Sequence, residues 1–289
     1  MKNIQLTAVL YMVLSMFAYQ ISASFAKQLI NTLDPLTVTI FRLGFATILV
    51  TLMFRSWRVI PQLTQLKWRD LLCYSAALGC MNILFYTSLG KLPQGIAVGL
   101  EFIGPLGLAF LSIQQRSDYI WVALAILGIA CMVPWHSAYQ QNFSYVGAFC
   151  ALGAGLCWAL YIYFGHRVAQ QNIGMHALTI AIALSTLTLL PFGLWKHAPV
   201  LLDTQYWGKA LIIAIMATAI PYALDLMAMK RLNKLSYGTL SSLSPALAAL
   251  SGLVLLHEQI SLIQWFALAC IICASIGVTI RGSHTKATT

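Results

Sequence analysis

Apolar stretches near 20 residues long follow one another along most of this chain. An α-helix needs about 20 such residues to cross a ~30 Å hydrocarbon core. Inside that core every backbone N–H and C=O must be satisfied within the protein, so the stretches predict helices. Composition agrees: 60% of residues are hydrophobic and 8% are charged. Soluble domains carry roughly 25% charged residues, so the polar surface that water requires is missing. The expected fold class is an all-α integral membrane protein embedded in a lipid bilayer.

Ten spans are predicted: Leu6–Leu29, Pro35–Phe54, Leu71–Leu89, Gly95–Ile113, Tyr119–Trp135, Tyr145–Phe164, Met175–Trp195, Tyr206–Met229, Leu235–Leu256 and Leu262–Ile280. The first resembles a signal peptide, with Lys2 before an apolar run and Ser22-Ala23-Ser24 after it. Its length and the spans that follow read it as the first transmembrane helix. The connections are too short for a soluble domain, and residues 282–289 form a polar cytoplasmic tail.

The net charge of +10 does not signal nucleic-acid binding, because the basic residues punctuate the spans. With a cytoplasmic N-terminus, twelve Lys and Arg residues fall inside, among them Arg55, Arg58, Lys67, Arg69, Arg167 and Lys230. Four fall outside: Lys27, Lys91, Lys196 and Lys209. The positive-inside rule places both termini in the cytoplasm.

The chain also matches itself weakly at an offset of 140 residues. Lys27 falls on Arg167, Ile40 on Ile180, Lys91-Leu92 on Arg231-Leu232, and Pro105 on Pro245. Residues 1–139 and 140–281 then form two five-helix repeats. Five is odd, so the second repeat enters the membrane inverted. Inverted repeats around a central cavity are a recurrent plan of secondary transporters, with the substrate site near the midplane.

Charges inside spans are costly, so they usually face a cavity or a partner. Arg42, Glu101 and Asp225 stand out. Arg42 and Glu101 lie at similar depth, the former about 10 Å in at 1.5 Å per residue. Both are expected to face the cavity and interact, directly or through water or substrate; the alternative is that Arg42 snorkels to the outer interface. Pro105 lies one turn after Glu101 and is expected to break the helix there. Broken backbone at membrane depth is tolerated where it lines a cavity. Asp225 either pairs with Lys230 or Arg231 or serves gating or proton movement. Gln20, Asn82, Tyr86, Trp158, Tyr161 and Tyr222 complete the candidate lining, each with packing as its alternative reading. Gly147, Ala151 and Gly155, and Gly95 and Gly99, are spaced for close helix approach.

Enzyme signatures are missing. There is no G-x-x-x-x-G-K-[ST], and His257-Glu258 lacks the second histidine of H-E-x-x-H. No metal site and no cofactor are expected. Cys270 and Cys273 form a C-x-x-C inside an apolar run, where cysteine reads as a small packing residue. Transport is therefore the leading class. A partner-binding membrane subunit predicts no substrate flux, and a passive channel predicts flux that cannot run uphill.

Several segments carry a family resemblance: Gln20 with Ala23-Ser24, Arg42-Leu43, the run Gly79 to Tyr86, Gly95 to Pro105, Ala151 to Gly155 with Cys157-Trp158-Ala159, Pro221-Tyr222, and Ser244 to Ala249. The chain resembles the EamA branch of the drug/metabolite transporter superfamily over nearly its whole length, and within it the amino-acid exporters of the bacterial inner membrane. The resemblance implies ten helices in two inverted repeats and proton-driven export of small amino acids such as threonine or homoserine. Broader efflux of drugs, aromatic compounds or purine-like metabolites is the alternative, and either a monomer or a dimer is compatible. On this reading Glu101 receives the substrate ammonium or a proton. Arg42 holds the carboxylate or keeps Glu101 ionised, and Asn82, Tyr86, Gln20 and Trp158 shape the pocket. Such exporters tend to carry a glutamate just before the proline of span nine, where this chain has Ser244; Asp225 stands where a glutamate is expected in span eight.

Overall fold

The computed structural model describes residues 2–58, 67–110, 119–132, 143–169, 171, 176–229 and 240–285. Among these residues the regular structure is helical, with no strand. In chain order the helices are α1 (Lys2–Ile30), α2 (Pro35–Phe54), α3 (Trp68–Leu89), α4 (Gln94–Phe110), α5 (Tyr119–Met132), α6 (Tyr145–Ala169), α7 (His176–Leu202), α8 (Trp207–Ala214), α9 (Ile220–Met229), α10 (Ser244–Leu256) and α11 (Leu262–Thr285). A π-turn, Ile215–Ala219, joins α8 to α9 in one rod. Within the described residues each predicted span overlaps a helix, and residues 111–113, 133–135 and 175 of the predicted spans lie outside them. Among the described residues five helices are long and apolar enough to cross a membrane: Leu6–Ile30, Pro35–Phe54, Trp68–Leu89, Tyr145–Val168 and His176–Leu202.

Local chemistry sets the ends. Asp34 caps α2, its Oδ2 accepting from Leu36 N at 2.9 Å, and Pro35 supplies the preset first-turn φ. Helix α7 passes Trp195, its predicted end, and continues to Leu202 beyond a kink at His197 (φ −138°, ψ 27°). Pro199 follows that kink; it has no N–H and restricts the residue before it. The start of the ninth span, 235–239, lies outside the described residues. There α10 begins at Ser244, after a turn at 242–243, with Pro245 in its first turn where the missing N–H costs nothing. The π-turn has a similar origin. Pro221 has no N–H for the Ala217 carbonyl, and just before it the Ile220 N–H reaches five residues back to Ile215.

The break expected at Pro105 is not present: α4 runs through it to Phe110. Pro105 leaves the Glu101 carbonyl without its helical donor. That carbonyl lies against Gly155 of α6, where a Cβ would overlap it, and a Cβ on Gly104 would overlap the Gly155 carbonyl. The two backbones meet where the proline frees an oxygen, and the close contact holds the helix together. Gly95 makes a second close approach, with its absent Cβ directed 2.7 Å from the Ala249 Cα of α10.

The halves interlock rather than lie side by side. Helix α3 packs on α6 and α7, and the rod α8–α9 packs in turn on α1 and α2. Helices α2 with α7, α4 with α10, and α5 with α11 meet across the middle. Serines join the seams: Ser185 Oγ donates to Ser75 O at 2.8 Å, and Ser22 Oγ to Ile213 O at 2.9 Å.

Replacing Gly104 or Gly155 by valine forces α4 and α6 apart. The expected cost is about 1–3 kcal/mol or more. It is read as a lower melting temperature of the purified protein in detergent, while valine at the open position Gly107 leaves that temperature near wild type.

Candidate functional site

Buried charge locates the site. Arg42 is 8% exposed and Glu101 7%, and both line one cavity of about 410 Å³ between the interlocked halves. Its wall is a set of helix faces read at helical spacing. Helix α1 contributes Met12, Ser15, Met16, Tyr19 and Gln20; α4 contributes Val98, Glu101, Phe102 and Pro105; α6 contributes Trp158, Tyr161 and Ile162. Each set follows i, i+3, i+4 and their continuation, which is one stripe of an α-helix. Arg42, Leu43 and Ala46 of α2 and Leu78, Met81 and Asn82 of α3 close one side; the π-turn, Pro221, Ser241 and Ser244 close the other.

Arg42 is buried inside the bundle and does not lie on its outer surface. Its guanidinium donates from Nη1 to Asn82 Oδ1. Asn82 is itself held by its Nδ2, which donates to Leu78 O at 2.8 Å. The guanidinium carbon lies 5.7 Å from the Tyr19 ring centroid and 5.6 Å from that of Tyr86. An aromatic face attracts a cation most strongly when both are desolvated. Two rings and a fixed amide therefore orient Arg42 toward the cavity that also holds the Glu101 carboxyl.

The structure gathers most of the predicted residues. Gln20, Arg42, Asn82, Glu101, Pro105, Trp158 and Tyr161 line the cavity. Tyr86 stands behind Arg42 and is 2% exposed. Trp158 meets Phe102 edge-on at 5.7 Å, and Tyr161 stacks on Tyr74 at 4.6 Å, so both also pack. Pro245 starts α10 beside the lining residue Ser244. Tyr222 and Asp225 lie on α9, but their side chains lie outside the described residues.

Tyr19 and the methionines Met12, Met16 and Met81 escaped the sequence reading. Tyr19 is three and four residues from Met16 and Ser15, so the face shared with Gln20 was the available signal. Ser244 occupies the wall and donates its hydroxyl toward Met16 Sδ at 3.4 Å. Among the described residues no group of three or more His, Cys, Asp or Glu side chains is arranged for a metal.

Comparisons with known proteins bear on the family and the fold. The model of the EamA-like transporter family matches residues 6–134 and again residues 145–280. The threonine/homoserine exporter RhtA of Salmonella typhimurium (strain SL1344) is 38% identical over 275 residues, covering 94% of this chain and 91% of the relative. The protein of the same name from Escherichia coli K12 gives the same identity and coverage. A solved crystal structure superposes with a TM-score of 0.60 over 98% of this chain and 97% of its own, at 17% identity, and so shares the fold.

Substituting Asn82 by leucine removes a buried acceptor from a charged donor, a change of about 1.5–3 kcal/mol. The expected result is a lower melting temperature in detergent for Asn82→Leu and a smaller loss for Asn82→Asp, which keeps the oxygen.

Proposed function

The chain belongs to the EamA-like transporter family, and from that premise we propose that it is a secondary active transporter exporting small amino acids of the threonine and homoserine kind by alternating access. One observation carries the substrate class. An oriented guanidinium and a carboxyl line the same mostly apolar cavity, a pair complementary to the carboxylate and ammonium of a zwitterion. At about 410 Å³ the cavity falls within the ~300–1,000 Å³ common for small-molecule sites. The 38% identical relatives named for threonine and homoserine export support the same class.

The mechanism follows from the charges. Arg42 binds the substrate carboxylate. Glu101 receives the ammonium, or a proton when the site is empty, so the two compete and movement of one is coupled to the other. Ser244 stands where the resembled exporters tend to carry a second acid, so in this chain coupling centres on Glu101, with Asp225 of α9 as the further proton-handling group. Alternating access rocks residues 1–139 against 140–281 as inverted repeats. The double match of one family model and the exchanged packing of α3 and of α8–α9 support that division. The membrane is the bacterial inner membrane, with both termini cytoplasmic, as the basic residues indicate.

A second reading, broader efflux of aromatic or drug-like compounds, draws on the Met12, Met16, Met81, Phe102 and Trp158 surface. Met-rich walls repack around varied ligands.

The decisive experiment measures flux of radiolabelled threonine and homoserine in proteoliposomes, with and without a pH gradient. Wild type is expected to show gradient-stimulated flux, and Glu101→Gln to lose the stimulation while remaining folded. Full stimulation in Glu101→Gln would remove Glu101 from the mechanism. Stimulated flux of aromatic compounds with none of threonine or homoserine would favour the second reading.

A further inference from the structure

No residue lining the cavity lies beyond Gln20 on α1, Val98 on α4 or Ser244 on α10 toward the end of the bundle that carries the α1–α2 and α3–α4 turns. A continuous polar stack occupies that end. Gln20 lines the cavity, and its backbone carbonyl accepts from Gln94 Nε2 at 2.9 Å and from Ser251 Oγ at 3.2 Å. Ser24 Oγ lies 2.8 Å from Gln94 Oε1 and 2.8 Å from Ser251 Oγ. One layer further out, Lys27 Nζ meets Glu258 Oε1 at 2.6 Å and donates to Leu92 O. The other oxygen of Glu258 accepts from Gln94 N, the first residue of α4, at 2.7 Å. Gln20, Ser24, Gln94 and Ser251 are buried, and the Lys27 and Glu258 side chains keep only 16% and 11% exposure.

We propose that this stack is a gate of the transport path: Lys27, Gln94 and Glu258 close the cavity to the face that the positive-inside rule places outside, and they separate when the cavity opens there. The proposal rests on the transporter reading above. Two observations favour a gate over a static strut. The stack joins three helices, α1, α4 and α10, drawn from both halves of the chain. Its contacts are polar and local to one end, so water can replace them one for one when the helices part, which a seam of apolar side chains would not permit.

The test reads access and needs no substrate. Met16→Cys on the cavity wall is the reporter, in a background whose seven cysteines are replaced by serine or alanine. A membrane-impermeant maleimide is applied to intact cells and to inverted vesicles, which present opposite faces. With the stack intact, the reporter is expected to react slowly from the face that carries Lys27 and Glu258. In Lys27→Ala and Glu258→Ala, labelling from that face should rise about tenfold, as the balance shifts toward the state open there. Glu258→Gln keeps the shape and one acceptor, and serves if the alanine variants do not reach the membrane folded; a smaller rise from the same face is expected. An unchanged labelling rate in folded variants overturns the gate, as does equally fast labelling from that face with the stack intact. A gate that opens as expected in a protein that moves no threonine sets aside the substrate, not the gate. Intact threonine flux with no change in labelling sets aside the gate alone.

Discussion

In the hydrocarbon core of a bilayer a polar group has no water to bond, so its partner must come from the protein. That constraint organises this molecule. Arg42 survives within the bundle because Asn82, Tyr19 and Tyr86 surround it. The Glu101 carbonyl freed by Pro105 is covered by Gly155. Gln94 and Gln20 satisfy each other and the neighbouring serines. Polar residues are few, yet they set which helices touch and where. The apolar majority drives insertion, while the polar minority, with small residues that let backbones meet, decides the packing.

The cavity follows from that division. Helices α4 and α6 approach at Gly104 and Gly155, and α4 and α10 at Gly95 and Ala249. One turn away along α4, the larger residues Glu101 and Phe102 hold space open against Trp158. Close contact and cavity are adjacent parts of one helix. The proline that frees a carbonyl at the contact also lines the cavity.

Much of the site was legible in the sequence because charge in an apolar run is costly and therefore informative. Arg42 and Glu101 announced themselves, and Ala46 and Pro105, each four residues further on, line the same wall. Tyr19 was not legible. A tyrosine in an apolar run reads equally as packing, and its role depends on Arg42 approaching from another helix. The expectation of a break at Pro105 failed for a related reason. Proline removes a donor in every context, but whether the helix gives way depends on what lies against the orphaned oxygen, here a glycine 50 residues further along the chain.

The amino-acid sequence by itself determined that the chain lives in a membrane, that it is built of helices, and that two charges must be sheltered. Length, hydropathy and the cost of burying charge are local properties, readable one residue at a time. The tertiary structure decided that the two charges share one cavity, which aromatic rings orient Arg42, and that Lys27 of α1 meets Glu258 of the α10–α11 turn. Those facts depend on helix rotation and on contacts between segments as far apart as residues 27 and 258. Such contacts are set by which small residues let which backbones approach, and periodicity within one helix does not reveal its partner.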